Sequence, residues 1–183
     1  MISIHSIPQA FTPAQCDMLI DYAMVANASD AKLVNQSKDH NIRRSELVWI
    51  DDLPDAGWVM DHLIDVVRVA NRDMFQFDLT EFAESAQIAR YGAERQGHFD
   101  WHSDIGDGQV ARKRKLTVVV QLSEPANYTG GTLEIMASNA TTTGQKDRGT
   151  ATVFPSYLLH RVTPVEEGER FSLTVWAHGP QFR

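Results

Sequence analysis

The sequence predicts an α+β fold in which helices pack against a jelly-roll core made of two β-sheets. Before residue 86, apolar residues recur at helical spacing in two segments of the 183-residue chain. From residue 86 onwards the spacing changes to alternation, and short strands follow one another between turn-forming clusters. Helices followed by a run of short strands are typical of the α+β class, and we expect a double-sheet jelly roll within it.

The first helix is predicted to begin at Thr12. Thr12 and Gln15 have the spacing of a capping box, and Pro13 stands at the first helical position. Phe11 and Cys16 occupy the staple positions that flank such a start. The apolar face of this helix comprises Cys16, Leu19, Ile20 and Ala23.

A second helix is predicted from Asp55, which we interpret as its cap. We expect His62, within this helix, to be a solvated or capping side chain. The apolar face of the helix comprises Val59, Leu63, Val66, Ala70 and Met74.

The rest of the first half contains two strand candidates and one polar segment. The strand candidates are residues 2–7 and 46–50. Residues 27–45 have no apolar period and carry charges of both signs. This composition indicates either an ordinary surface loop or a mobile flap over a functional site.

Seven strands are predicted after residue 86. Turn signals separate them, among them Gly106-Asp107-Gly108 and Gly130-Gly131, and we interpret the latter pair as structural. The predicted strands are residues 87–91, 99–103, 115–122, 132–136, 150–154, 160–162 and 171–177.

Composition restricts the class of protein. A net charge of −7 and a pI near 5.4 argue against constitutive binding to nucleic acid or to an anionic membrane. The single cysteine, Cys16, cannot form an internal disulfide, which favours a reducing compartment. Residues 1–5 lack the features of a secretory signal, and no apolar run approaches the ~20 residues that span a bilayer. The sequence therefore predicts a soluble cytoplasmic protein.

The strongest candidate for a functional site is His102-Ser103-Asp104 together with the distant His160. On an extended strand His102 and Asp104 share a face, because side chains alternate with period 2. Two histidines and one carboxylate fill three positions of an octahedral metal and leave others open, as in the non-haem Fe(II) oxygenases. Arg170 follows ten residues after His160 and offers a guanidinium suited to bidentate binding of a carboxylate.

These residues belong to a longer pattern. In chain order it consists of His102-x-Asp104, Gly130-Gly131-Thr132-Leu133, Phe154-Pro155-Ser156, His160 and Arg170-x-Ser172. Over residues 86–178 the sequence resembles the 2-oxoglutarate/Fe(II) dioxygenases of the prolyl hydroxylase type, in particular small single-domain bacterial and phage-like members. The resemblance implies a double-stranded β-helix. We expect one dioxygenase domain over residues 1–183, with 1–85 as a helical N-terminal support region and 86–178 as the jelly-roll catalytic core.

The resemblance also implies the cofactors and the residues that hold them. Fe(II) would be bound by His102, Asp104 and His160, with 2-oxoglutarate and O₂ as co-substrates and ascorbate as a reductant. Arg170 would hold the distal carboxylate of 2-oxoglutarate, assisted by the hydroxyl of Ser172. The alternative is an ordinary strand arginine that pairs with a neighbouring glutamate, either Glu166 or Glu169.

Further co-substrate contacts match the family less closely. The family often has a tyrosine about ten residues before the first metal histidine, and here Tyr91 stands eleven before His102. The family also has a tyrosine on the strand equivalent to residues 115–122, where this chain has none. Thr117 and Gln121 are both candidates to take its place.

A second His-x-Asp pair, His98-Phe99-Asp100, competes for the metal. On one continuous strand both pairs would share a face, so alternation alone does not choose between them. The family pattern has an aromatic residue three positions before the metal histidine, and Phe99 stands there relative to His102. We therefore assign His98 and Asp100 to the rim of the site, and expect Trp101 to point to the opposite face from His102.

The resemblance implies hydroxylation of an unactivated C–H bond with release of succinate and CO₂, most simply on peptidyl proline. A free amino acid or other small molecule is the alternative substrate, so the expected partner is a peptide, a protein or a small molecule. Nucleic-acid demethylation is disfavoured, because Trp176 stands where that branch carries a second arginine. A non-catalytic jelly roll that binds a carbohydrate or an acid would not need the metal set. The oligomeric state stays open.

A basic run, Arg112-Lys113-Arg114-Lys115, follows the glycine-containing loop after Asp104. Such a run is usually a solvated hairpin. The alternative is that it borders the mouth of the site and attracts an acidic substrate.

Overall fold

The computed structural model describes residues 4–29 and 42–182, which form two α-helices and twelve strands. The helices are α1 (Pro13–Ser29) and α2 (Gly57–Ala70). The strands are β1 (His5–Ile7), β2 (Arg43–Arg44), β3 (Glu46–Trp49), β4 (Gln87–Gly92), β5 (His98–His102), β6 (Arg114–Gln121), β7 (Tyr128–Gly130), β8 (Leu133–Ala137), β9 (Ala140–Thr143), β10 (Ala151–Pro155), β11 (His160–Val162) and β12 (Val165–His178). Most of the segment considered as a flap, residues 30–41, lies outside the described residues.

The strands form two antiparallel sheets that face each other. The main sheet has the order β1-β10-β6-β12-β4-β3, and β7 pairs with the first part of β12. The second sheet has the order β2-β5-β11-β8-β9. The predicted α+β class and double-stranded β-helix core are confirmed. Strands β1 and β3 carry the region before residue 86 into the main sheet, on its two edges.

The start of α1 follows the predicted capping box. The Gln15 amide N–H donates to Thr12 Oγ1 at 3.2 Å, and the Thr12 amide N–H donates to Gln15 Oε1 at 2.9 Å. Phe11 and Cys16 are both buried beside this start, as the hydrophobic staple predicts. This helix therefore docks on the main sheet through the face that the sequence indicated.

Three expectations about α2 were wrong. Asp55 does not cap the helix: Ala56 is the N-cap, no side chain caps it, and Asp55 precedes it at a left-handed φ of 60°. Met74 is not on the buried face but 41% exposed, because the chain widens into a π-type turn (Asn71–Phe75) after the helix. His62 is not solvated, since its Nε2 contacts the Ala10 carbonyl oxygen and its ring meets Phe11 edge-on.

Alternation along β6 and β12 gives the main sheet two different faces. One face is apolar and packs with α1 and α2; it includes Leu116, Val118, Val120, Phe171, Leu173 and Val175. Burial of each such side chain contributes about 1.5–3 kcal/mol. The other face looks into the cleft between the sheets and carries Thr117, Val119, Arg170, Ser172, Thr174 and Trp176.

All seven strands predicted after residue 86 are present; their ends agree within one residue, except that β12 begins at Val165 and not at residue 171. Three further strands were not predicted: β2, β7 and β9, which have two, three and four residues. Strands this short carry too little alternation to be recognised from sequence. Among the described residues, neither helix is long and apolar enough to cross a membrane.

Candidate metal and co-substrate site

Two histidines and one aspartate converge in the cleft between the sheets. His102 ends β5, Asp104 follows it, and His160 begins β11 opposite His102. One ligand atom from each of the three lies within 4.8 Å of the others. His160 and Asp104 are buried, and His102 is largely so. Within the described ranges this is the one group of three or more such side chains with metal-site spacing.

A β-bulge in β5 decides which side chains enter the cleft. His102 pairs with His160 and Phe99 pairs with Val162, so β5 has one more residue than β11 between the two pairs. The extra residue puts Phe99 and His102, three positions apart, against each other: their rings are stacked with centroids 3.5 Å apart. Because of this bulge, the regular alternation that would have put both His-x-Asp pairs on one face does not hold along β5.

The first His-x-Asp pair lies outside the triad. His98 Nδ1 contacts the Gln96 carbonyl oxygen at 2.8 Å. Asp100 is exposed and accepts a hydrogen bond from the Trp101 amide N–H at 2.7 Å. The guanidinium carbon of Arg161 lies 4.9 Å from the centroid of the Trp101 ring. Trp101 does not line the cleft that His102 lines.

Backbone carbonyls fix the tautomers of both histidines of the triad. His102 Nδ1 donates to the Asp100 carbonyl oxygen at 2.6 Å, and His160 Nδ1 donates to the Leu158 carbonyl oxygen at 3.0 Å. A carbonyl only accepts, so each neutral ring carries its hydrogen on Nδ1 and an unshared pair on Nε2. Both Nε2 atoms lie 3.5–3.6 Å from the carboxylate of Asp104. Imidazoles oriented in this way are ready to bind a metal.

Electrostatics favour the ligand forms of these side chains. Burial, and next the charge of His160, lower the pKa of His102 to about 4, so its imidazole is neutral near pH 7. Burial alone would raise the pKa of Asp104, but the neighbouring His160 and His102 outweigh it and the pKa is lowered. The Thr117 hydroxyl also donates to Asp104 Oδ2 at 2.7 Å and holds the carboxylate in place.

Arg170 is at the other end of the cleft. Its side chain is 2% exposed, and its Nε donates to Gln121 Oε1 at 3.1 Å. Its Nη1 is buried without a hydrogen-bond partner within the described part of the chain. Of the two glutamates considered as partners, Glu169 binds Arg90 instead. A buried, incompletely satisfied guanidinium facing a cleft is well suited to an anionic ligand.

The other predicted site residues divide into those near Arg170 and those near the His-Asp-His cluster. Tyr91 is cross-strand from Arg170 and lines the cleft, as does Ser172. Of the two candidates for the missing strand tyrosine, Thr117 hydrogen-bonds the metal-site carboxylate, whereas Gln121 hydrogen-bonds Arg170. Thr117 lines the cleft itself, whereas Gln121 lines a small neighbouring cavity that shares Arg170 with it.

Sequence reasoning missed two residues of the site. Tyr128, on β7, is buried and its hydroxyl accepts a hydrogen bond from Gln121 Nε2 at 2.6 Å. Trp176 was considered as a core or rim aromatic and as a replacement for an arginine, but not as a site residue; it is buried and lines the cleft. The sequence did contain a signal for Trp176: it follows Arg170 by an even number of residues on the same strand, so the two side chains share a face.

The basic run borders the back of the site. Arg114 donates from Nη1 to the carbonyl oxygen of Asp104 at 3.1 Å and lies over the Trp176 ring at 3.9 Å. It also forms an ion pair with Glu84, which His178 contacts through Nε2 at 2.9 Å. Lys113 is exposed and pairs with Glu81, as expected of a solvated run, whereas Arg114 is largely buried and holds the backbone of Asp104.

Taken together, the donor set fits a divalent transition metal and a dianionic co-substrate. Two imidazole nitrogens and one carboxylate are the ligands that suit iron, and they leave coordination positions open. The same cleft is lined by the apolar side chains of Val119, Leu133 and Val162 and by Arg170, whose Nη1 has no partner within the described ranges. A short ligand with a metal-chelating end and a distal carboxylate matches that arrangement.

Comparison with known proteins agrees with this geometry. Residues 86–178, half of the chain, match the family model described as the 2OG-Fe(II) oxygenase superfamily. A PKHD-type hydroxylase of Sphingopyxis alaskensis is 32% identical over 107 residues, which are 56% of this chain and 47% of that protein. Another, from Synechococcus elongatus, is 30% identical over 119 residues, which are 62% and 53%. The chain spans about half the length of these curated relatives.

Solved structures share the fold at lower identity. A Pseudomonas putida prolyl-4-hydroxylase superposes with a TM-score of 0.78 at 21% identity, covering 98% of this chain and 94% of that one. A prolyl hydroxylase from Trichoplax adhaerens, in complex with a hypoxia inducible factor peptide fragment, has a TM-score of 0.73 at 16% identity, with coverages of 96% and 83%. These likenesses support the jelly-roll fold over nearly the whole chain.

Proposed function

The chain belongs to the 2OG-Fe(II) oxygenase superfamily, and from this premise we propose that it is a 2-oxoglutarate-dependent dioxygenase that hydroxylates peptidyl proline. One observation carries the proposal: a His-Asp-His cluster of metal-site geometry shares a cleft with the buried guanidinium of Arg170, whose Nη1 has no partner among the described residues. The names of the relatives and structural neighbours, PKHD-type hydroxylases and prolyl hydroxylases, support proline as the target. A free amino acid or other small molecule is the alternative substrate.

In this proposal His102, Asp104 and His160 hold Fe(II). The backbone carbonyls on the two Nδ1 atoms keep both rings in the ligating tautomer, and the Thr117 hydroxyl orients the carboxylate. Such supporting contacts are worth about 10–100-fold in metal affinity in other sites. The chain's contribution at this end is therefore a fixed set of three donor atoms within 4.8 Å of one another, which would hold the metal.

Arg170 anchors the co-substrate at the far end of the cleft. Its charge and its unpartnered Nη1 would be satisfied by the distal carboxylate of 2-oxoglutarate. The hydroxyl of Ser172, on the same face of β12, assists, and Tyr91 forms part of the wall. Burial of this anchor excludes water, which strengthens the ion pair.

When bound, Fe(II) and 2-oxoglutarate supply the oxidation chemistry: O₂ is split between succinate, formed with release of CO₂, and the hydroxyl group of the product. The protein binds the two reactants, orients them and shields them with apolar walls.

We also treat residues 1–183 as one dioxygenase domain, because strands from 1–85 and from 86–178 hydrogen-bond into the same sheet. The buried, unpaired Cys16 supports a reducing, cytoplasmic location.

The test is turnover on defined substrates. The purified protein is incubated with Fe(II), 2-oxoglutarate, O₂ and a proline-containing peptide library, with and without ascorbate. Succinate and peptide mass are both measured. We expect succinate together with peptides that have gained one oxygen atom, and neither product with the His160→Ala variant.

Matched controls separate the possible substrates. A library with alanine in place of proline, and free proline alone, are run in parallel. Oxygen gain on free proline but not on peptides would favour the small-molecule alternative. Absence of succinate with every substrate, and without substrate, would contradict the dioxygenase function.

A further inference from the structure

We propose that Tyr128 is a second anchor for the distal carboxylate of 2-oxoglutarate, and that Gln121 positions both Tyr128 and Arg170 for that ligand. This inference rests on the proposed function, because it concerns the co-substrate of the same site. It assigns a role to a residue outside strand β6, the strand on which Thr117 and Gln121 were the candidates to replace the family's tyrosine. Tyr128 instead comes from β7, which pairs with the first part of β12.

Three side chains form a continuous hydrogen-bonded chain that begins at Arg170, which lines the cleft. Arg170 Nε donates to Gln121 Oε1 at 3.1 Å, and Gln121 Nε2 donates to the Tyr128 hydroxyl oxygen at 2.6 Å. All three are buried. Arginine only donates, so the amide orientation of Gln121 is fixed: its oxygen faces Arg170 and its nitrogen faces Tyr128.

This orientation leaves two donors for a ligand. The Tyr128 oxygen already accepts from Gln121, so its own hydrogen is left to donate. Arg170 Nη1 has no partner in the described part of the chain. Arg170 is close enough to Tyr128 to act on its phenol. Two neighbouring hydrogen-bond donors, one of them charged, in a buried site match one carboxylate group.

The phenol is in the correct ionisation state for this role. Burial raises the pKa of Tyr128, and the smaller opposing effect of the neighbouring Arg170 does not cancel it. Tyr128 therefore stays protonated near neutral pH and can donate to an anion. A phenolate at this position would instead neutralise Arg170 and repel the ligand.

Backbone geometry allows Tyr128 and Arg170 to lie together. Gly131 has a positive φ of 54°, and a Cβ there would lie 3.1 Å from Arg170 Cδ and 3.3 Å from Tyr128 Cε2. A side chain at Gly131 would thus press on both residues. Gln121, Gly131 and Arg170 line a small cavity, which Lys146 also borders, and Arg170 lines the main cleft as well.

The test compares two ligands that differ only at the distal end. 2-Oxobutanoate retains the metal-chelating 2-oxo acid but lacks the distal carboxylate of 2-oxoglutarate. Both are titrated anaerobically into the Fe(II)-loaded protein by calorimetry, for wild type, Tyr128→Phe and the control Tyr157→Phe. Tyr157 is an exposed tyrosine outside this cleft.

We expect Tyr128→Phe to weaken 2-oxoglutarate binding about tenfold or more, while 2-oxobutanoate and Fe(II) bind as before. Tyr157→Phe should change neither ligand. Gln121→Met should also weaken 2-oxoglutarate selectively, because it removes the group that holds both anchors.

Three results would contradict this inference, and each has a different meaning. Equal 2-oxoglutarate affinity in Tyr128→Phe and wild type would overturn the inference and leave the proposed function intact. An equal loss for both ligands would show a packing role only, and would also overturn it. If wild type does not bind 2-oxoglutarate at all, the proposed function and the inference both fail.

Discussion

The Phe99 ring lies flat on the His102 imidazole, with centroids 3.5 Å apart and planes inclined by 15°. The guanidinium of Arg43 covers Phe99 at 4.5 Å from its centroid. His102 is thus held by an aromatic face as well as by the carbonyl oxygen on its Nδ1. The β5 bulge creates this stack. The bulge therefore helps to orient His102 in the candidate metal site.

Removal of the stack should weaken metal binding without loss of a ligand. We expect Phe99→Leu to lower Fe(II) affinity about tenfold, since contacts that orient metal ligands typically have effects of 10–100-fold. Trp101→Leu is the matched control, because Trp101 packs on Arg161 outside the cleft. Metal titration with Co(II) or Fe(II) measures both. Equal metal affinities in Phe99→Leu and Trp101→Leu would show that the stack does not contribute to metal binding.

Thr117 should act on the metal through Asp104, not on the co-substrate. Thr117→Val keeps the shape of the side chain and deletes the hydroxyl that donates to Asp104 Oδ2. We expect about a tenfold loss of Fe(II) affinity, with 2-oxoglutarate affinity unchanged at saturating metal. Ser156→Ala, which removes the Thr117 hydroxyl's other partner at 3.0 Å, should have a smaller effect. A selective loss of 2-oxoglutarate binding in Thr117→Val would contradict this assignment.

Arg170→Ala should weaken 2-oxoglutarate binding and leave Fe(II) affinity nearly unchanged. Loss of a charge-assisted pair in a desolvated site costs on the order of 2–5 kcal/mol. Arg170→Lys should recover only part of the loss, because an ammonium does not reproduce the planar fork. Arg68→Ala, at an exposed helix ion pair, is the control. Equal 2-oxoglutarate affinity in Arg170→Ala and Arg68→Ala would show that Arg170 does not bind 2-oxoglutarate.

Glu84 should make folding stability depend on acid pH. Burial alone would raise its pKa, but hydrogen bonds from His178 and Arg114 lower it from the ordinary value of 4.5 to about 2. A lowered folded-state pKa stabilises the protein above pH 4.5, and this stabilisation is lost as pH falls towards 2. Glu84 is partly exposed, so we expect on the order of 1–2 kcal/mol after solvent screening.

Denaturant unfolding at several pH values measures this effect. Glu84→Gln should be less stable than wild type at pH 7, and the difference should shrink between pH 4.5 and 2. The control Glu81→Gln removes only an exposed contact with Lys113 and should leave stability nearly unchanged. A Glu84→Gln deficit that is constant over this range would show that its charge is not the cause.

Much of the fold was predictable because it depends on local patterns. The capping box at Thr12 and Gln15 satisfies backbone groups within one turn, so sequence alone specifies it. Alternation likewise placed Arg170 and Ser172 on one face of β12. The α2 errors have local causes that a pattern does not show: the left-handed φ of Asp55 and the widened turn before Met74.

The unpredicted parts of the site depend on pairing between distant segments. The β5 bulge exists only relative to β11, so the sequence of β5 alone does not reveal which side chains share the cleft. Tyr128 escaped notice because its strand has three residues and gains its place only by pairing with β12. Such strands have no alternation of their own to recognise.

The central claim is that the later His-x-Asp pair, together with His160, holds the metal. It is tested most directly by anaerobic titration of Fe(II) and 2-oxoglutarate into wild type and the His102→Ala and His98→Ala variants, followed by visible charge-transfer absorption. We predict one Fe(II) per chain and a visible band for wild type and His98→Ala, and neither for His102→Ala. A band that persists in His102→Ala and disappears in His98→Ala would contradict the account.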